Sequence, residues 1–120
     1  MPERPLVPQL TISNEIARLY KTRTGRGPKR VSTTITSDLV VCVLHDTHTP
    51  QEATILEAGA VDLVHDLRSR FQRHVATDAV GIVERATGRT VTGHVPGYDA
   101  ARDVAVEVFL LDDAAVGAAV

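Results

Sequence analysis

Few side chains in this 120-residue chain have the type and spacing that chemistry requires. His45 and His48 lie three apart with Asp46 between them, directly after an apolar run. Imidazole nitrogens and carboxylates are zinc ligands, but a closed site takes four of them and a catalytic site three. Asp99, Asp103 or His94 would have to fold alongside to complete such a set. His45 and His48 are therefore the candidate metal ligands, and a pair of exposed loop histidines is the alternative. No cofactor is expected.

The densest positive charge is Arg18, Lys21, Arg23, Arg26, Lys29 and Arg30, gathered around the loop TGRGPKR. Glycine N–H groups and basic side chains can hold a phosphate, which makes these six the candidate anion- or nucleic-acid-binding residues. The loop is no P-loop, because Lys-Ser/Thr does not follow its second glycine and it runs from helix to strand rather than strand to helix. Aromatic residues for base stacking are missing nearby. The alternative is a solvated basic turn. His65-Asp66 pairs a histidine with an aspartate as metal-dependent phosphohydrolases do, but those need further ligands on other helices. The lone Cys42 lies inside an apolar run and is expected to be buried and inert. No serine stands on a glycine-flanked elbow. No catalytic residue is assigned, and a non-enzymatic role is expected.

Composition narrows the function classes. A net charge of −2 gives no general attraction to nucleic acid or anionic membranes. Aromatic residues make up only 3%, so valine, leucine, isoleucine and alanine must fill the core. One cysteine excludes an internal disulfide and points to a reducing, cytoplasmic setting. The opening MPERPLVPQL carries an acidic residue and three prolines instead of a signal peptide's basic start and long apolar region. No transmembrane segment is expected.

The elements that would position these residues are legible from their periodicity. Residues 1–10 read as a flexible arm, 11–111 as one domain and 112–120 as a frayed tail. A first helix over Thr11–Thr24 carries the stripe Ile12, Ile16, Leu19 and Tyr20, with Thr11 as a possible N-cap and Gly25 as its stop. Val31–Thr36 alternates as a half-exposed strand. Leu39–Leu44 is apolar on both parities, which predicts a central strand covered on both faces. Thr49-Pro50-Gln51-Glu52 is a capping box with proline at the first helical position. Gly59 predicts a break. From Ala60 an apolar stripe runs through Leu63, Val64, Leu67, Phe71 and Val75 and continues to Gly88. A continuous helix over Ala60–Thr87 would be about 42 Å long. It must either bend near Thr77-Asp78 or pair with another copy through Leu63, Leu67, Phe71 and Val75. Thr90–Val95 and Asp103–Leu111 read as strands joined by a loop at Pro96-Gly97-Tyr98-Asp99. The order α-β-β-α-α-β-β predicts an α+β fold of two layers, a four-stranded, mostly antiparallel sheet with helices on one face.

An ordered set of short segments resembles the MpsC-like family. These are Ile12-Ser13-Asn14 through Leu19-Tyr20-Lys21, Gly25-Arg26-Gly27-Pro28, Asp38-Leu39-Val40-Val41 with Val43-Leu44, and Thr49-Pro50 with Glu52. Arg68 and Phe71, Thr87-Gly88-Arg89 with Val91, and Asp103 through Leu110 continue the match, so that residues 11–111 are covered. The resemblance implies a component of a Na+-translocating, membrane-potential-generating system. For a chain with no membrane span, it implies a soluble accessory or interaction subunit with a protein partner in that system. A homo-oligomer, most simply a dimer, is expected alongside it.

Overall fold

A computed structural model describes residues 7–113. Residues 1–6 of the expected arm and 114–120 of the expected tail lie outside the described residues. The first helix, α1, spans Pro8–Thr24 and so begins three residues before Thr11. Pro8 opens it, where a missing N–H is harmless. The Val7 carbonyl accepts from the N–H groups of Leu10 and Thr11, so Thr11 lies inside the helix instead of capping it. The helix stops at Gly25, whose left-handed φ of 84° glycine adopts without cost.

Strands β1, Arg30–Ile35, and β2, Leu39–His45, form an antiparallel hairpin. Its turn lacks glycine and is closed by side chains, with Thr36 Oγ1 accepting from the Leu39 N–H at 3.2 Å and donating to Asp38 at 3.1 Å. Helix α2, Pro50–Glu57, has both halves of the capping box. Gly59, at φ 86°, separates it from α3, Val61–His74.

The long helix does not form. It breaks at Val75 (φ −92°, ψ 5°), two residues before Thr77, and α4 runs Ala76–Thr87. The Val75 side chain is fully buried, and beyond the break α4 packs against α1 on the same side of the sheet. Val75 is therefore unavailable as the outer contact expected of it. At 14 residues α3 is only about 21 Å long.

Strand β3, Val91–Asp99, runs straight through Pro96-Gly97, where a loop was expected. It is an edge strand, the one sheet position where proline's missing N–H leaves no gap in the ladder. Strand β4, Val104–Leu111, completes a fully antiparallel sheet in the order β1-β2-β4-β3. The α+β two-layer architecture with helices on one face is as predicted. The core lies between them: Ile12, Ile16 and Tyr20 of α1, Ala79, Ile82 and Val83 of α4, and Val40, Cys42, Leu44, Ala105 and Phe109 of the central strands.

Both central strands alternate. Val40, Cys42 and Leu44 are buried, whereas Leu39, Val41 and Val43 are only half-buried. Coverage of β2 on both faces, expected from its continuous apolar run, is thus met on one face only, because every helix that packs on the sheet takes the same side.

Phe109, with no exposed surface, stacks on His94 at 5.0 Å between ring centroids. Phe109→Ala is expected to cost about 3–5 kcal/mol in chemical denaturation. Leu10→Ala, at a 45% exposed position, is expected to change stability by less than about 0.5 kcal/mol.

Candidate functional site

The polar side chains of this domain converge where α2 and α3 meet the ends of the central strands. At the end of β2 the chain turns through Asp46, at φ 60°, and enters α2 by way of Thr47, His48 and Thr49. Asp103, also left-handed at φ 52°, stands before β4 and points its carboxylate at this loop. Its Oδ1 accepts from the Thr47 N–H at 2.8 Å, the Thr47 hydroxyl at 3.1 Å and the His48 N–H at 3.1 Å. His48 lies with Nδ1 3.3 Å from Asp103 and Nε2 2.5 Å from the Tyr98 hydroxyl.

Behind this loop lies Arg68 of α3, 1% exposed. Its Nε donates to one Glu52 oxygen at 2.7 Å and its Nη2 to the other at 2.8 Å, a bidentate fork. Nη2 also donates to the Thr47 carbonyl at 2.8 Å. Glu52 accepts in addition from the Thr49 N–H at 2.9 Å, so the capping-box carboxylate is also the counter-ion of a buried guanidinium. Burial acts to raise the Glu52 pKa, but the hydrogen bonds from Arg68 and Thr49 and the charge of Arg68 outweigh it and hold the carboxyl below its usual range. The Arg68 guanidinium also lies over the Tyr98 ring, 5.0 Å from its centroid. Burial pushes the Tyr98 phenol up to about 12.

A second buried carboxylate occupies the inner face of the sheet. Glu107 of β4 has no exposed surface. It accepts from the Tyr20 hydroxyl at 2.6 Å and lies 2.5 Å from His94 Nε2. Gln72 of α3 reaches the same place and donates to the Gly97 and Val106 carbonyls at 3.1 and 3.3 Å. Burial, followed by the charge of Glu107, raises the Tyr20 phenol far above its ordinary value.

These groups are occupied with one another. Both ring nitrogens of His48 have protein partners, and His94 faces Glu107 instead of joining His45 and His48. His45 pairs across the sheet with Arg30 and Val104. Among the described residues no group of three or more His, Cys, Asp or Glu gathers as a metal site. Cys42 is buried, and burial pushes its thiol up to about 11, which leaves little thiolate at neutral pH.

The basic residues are dispersed. Arg23 pairs with Asp78 at 2.7 Å, and Arg26 donates to the Asp46 carbonyl at 3.3 Å. Arg18 and Arg23 line a cleft of about 600 Å³ between α1 and α4 that also holds Glu15, Asp78 and Arg85. That cleft lies away from the buried polar network. Lys21, Lys29 and Arg30 are exposed. A smaller groove of about 310 Å³ between α2 and α3 is lined by Ile55, Leu67 and Phe71, with Glu52 and Arg68 also on its wall.

Of the expected contact residues on α3, Leu63 and Leu67 are 55% and 49% exposed, Phe71 is half-buried edge-on to Tyr20, and Val75 is internal. Sequence reasoning missed the cluster of Arg68, Tyr98 and Asp103 and the second cluster around Glu107. A charged residue on the inward parity of an apolar strand, as Glu107 is between Ala105 and Phe109, was the available signal.

A family model described as Na+-translocating membrane potential-generating system (MpsC) matches residues 9–113. No curated protein matches, and no solved structure matches.

Glu52→Gln keeps the cap acceptor but removes the charge, leaving Arg68 buried without a counter-ion. It is expected to cost about 3 kcal/mol at neutral pH. Because the folded-state pKa of Glu52 lies below its ordinary value of 4.5, the charge stabilises fully above that value. The stability gap between wild type and Glu52→Gln is therefore expected to narrow as pH falls below 4.5 and through the lower folded-state pKa, measured by urea unfolding across pH. A gap that stays constant with pH would contradict the charge assignment.

Proposed function

The chain belongs to the MpsC family, and we propose that it serves there as a non-enzymatic association module, an accessory subunit of a Na+-translocating, membrane-potential-generating system. The observation that carries this reading is the orientation of α3. Its inward face is Val64, Arg68 and Gln72, while Leu63 and Leu67 stand in solvent. Amphipathic helices normally do the reverse. Here the internal polar residues are held by Glu52, Thr47 and the sheet carbonyls, so the helix cannot roll its leucines inward without stranding a guanidinium.

Of the exposed leucines, Leu67 lines the apolar groove with Ile55 and Phe71, and Leu63 lies one helical turn before it. Such a groove fits an amphipathic helix that inserts apolar side chains at i and i+4. No described helix is long and apolar enough to cross a membrane, so in this reading the ion path lies in a partner and this chain docks on that partner's cytoplasmic side.

In cells lacking the chain, the Na+-dependent membrane potential is expected to fall and wild type to restore it. Leu63→Glu/Leu67→Glu, at two exposed positions, is expected to keep its circular dichroism spectrum and restore less than about half. No change on deletion would contradict the association with this system. Full restoration by the double variant would contradict the α3 surface.

A further inference from the structure

The helices cover one face of the sheet, and the opposite face is more apolar than a solvent face should be. Antiparallel register places its outward side chains in rows. Val43 lies beside Val106, Val41 beside Val108, and Leu39 beside Leu110. On the flanking strands Ser32 and Thr34 of β1 extend two of these rows on one side, and Gly97 and Val95 of β3 extend them on the other. Val95 is 56% exposed and Leu110 42%. Four strands about 4.8 Å apart, with about seven residues of 3.3 Å rise, give a face of roughly 19 × 23 Å. A face of this extent, apolar along its two central strands, is comparable to the largest patch of an ordinary monomer, which is often functional. Strands β2 and β4 also have the composition of strands covered on both sides.

Two features shape this face for another sheet. Gly93 and Gly97 place no side chain beside Leu110 and Val106, and a Cβ at either glycine would come within 3.0 Å of those side chains. The rim over β3 is therefore low. Pro96 meanwhile leaves β3 without one N–H, which disfavours extension of the sheet along that edge. Stacking face to face is left as the route to a second layer.

The charges choose the occupant. The row at one end of the face reads Arg30, His45, Val104, Asp99 from edge to edge. Arg30 is exposed with no ion pair among the described residues, and Asp99, also exposed, accepts from the Arg102 N–H at 3.2 Å and has the Arg102 side chain as an ion partner only at 4.0 Å. A two-fold axis running along the strands would lay β1 over β3 and β2 over β4 of a second copy. Arg30 of each copy then faces Asp99 of the other, Ser32 of β1 meets Gly97 of β3, Thr34 meets Val95, and the valines of β2 meet those of β4.

We propose that this face binds a second copy of the chain, sheet on sheet, in a four-layer α/β/β/α dimer with its two-fold axis along the strands. Aligned packing of twisted sheets at about 30° preserves this pairing. The surface is separate from the leucines of α3, so either surface can fail alone.

The test is the solution mass of the full chain by light scattering over a wide concentration range. A species of about 26 kDa, twice the 12.9 kDa chain, is expected. Val41→Lys/Val108→Lys is expected to run as a folded monomer. Arg30→Glu and Asp99→Lys, both at exposed positions, are each expected to weaken the dimer about tenfold. Arg30→Glu/Asp99→Lys together are expected to bind more tightly than Asp99→Lys alone, a recovery that general misfolding would not produce. A wild-type monomer at every concentration would overturn the proposal, whether the face is then covered by residues 114–120 or binds lipid vesicles. So would a dimer that survives the two lysines, or a double charge variant with no recovery.

Discussion

A guanidinium removed from water needs a counter-ion, and that requirement at Arg68 governs how half of this domain is arranged. The cost of desolvating Arg68 is offset only by a partner with matching geometry. Glu52 supplies it, 16 residues earlier in the chain, through two short hydrogen bonds to the same fork. Because Glu52 is also the third residue of α2 and the acidic member of its capping box, the pair fixes the start of α2 to the middle of α3. The Thr47 carbonyl, held by the same guanidinium, ties in the loop that leaves the central strand. Asp103 secures that loop from the other side by accepting its N–H groups. One ion pair thus joins α2, α3 and the end of the sheet, and it sets which side of α3 faces inward.

The same kind of pairing holds the other buried polar side chains. Glu107, Tyr20, His94, His48, Tyr98 and Asp103 are residue types found in active sites, but each is engaged by another protein group. Burial raises both phenols above their ordinary value, so they stay protonated as hydrogen-bonding groups. The buried polar network fixes architecture, and the surface left over is apolar on two sides, at the leucines of α3 and across the uncovered sheet. These two apolar surfaces are the ones that the proposed associations would use.

What the sequence disclosed divides along the range of the interactions involved. The capping box at Thr49-Pro50-Gln51-Glu52 and the glycine stops at 25 and 88 depend on neighbours within a few residues, and each is found where it was read. Strand parity was equally legible: the buried members of β4 are the set Ala105, Glu107, Phe109 and Leu111. The fold class followed from the element order. The orientation of α3 was not legible. Counting apolar residues joins Leu63, Val64, Leu67, Phe71 and Val75 into one stripe, whereas Arg68 and Gln72 go inside because acceptors at positions 52, 97 and 106 reach them. Such acceptors are visible only once the chain is folded. The latch of Asp103 on Thr47 and His48 spans more than 50 residues and left no local trace. Pro96-Gly97 signalled a loop by composition, and only the edge position of β3 made a strand possible there.

The claim on which this account rests is that Glu52 and Arg68 act as one unit. A double-mutant cycle with Glu52→Gln, Arg68→Met and their combination, read by urea unfolding at neutral pH, measures that coupling directly. The account predicts a coupling of about 2 kcal/mol or more, with the double variant close in stability to the worse single one. Additive single effects, with a coupling near zero, would contradict it.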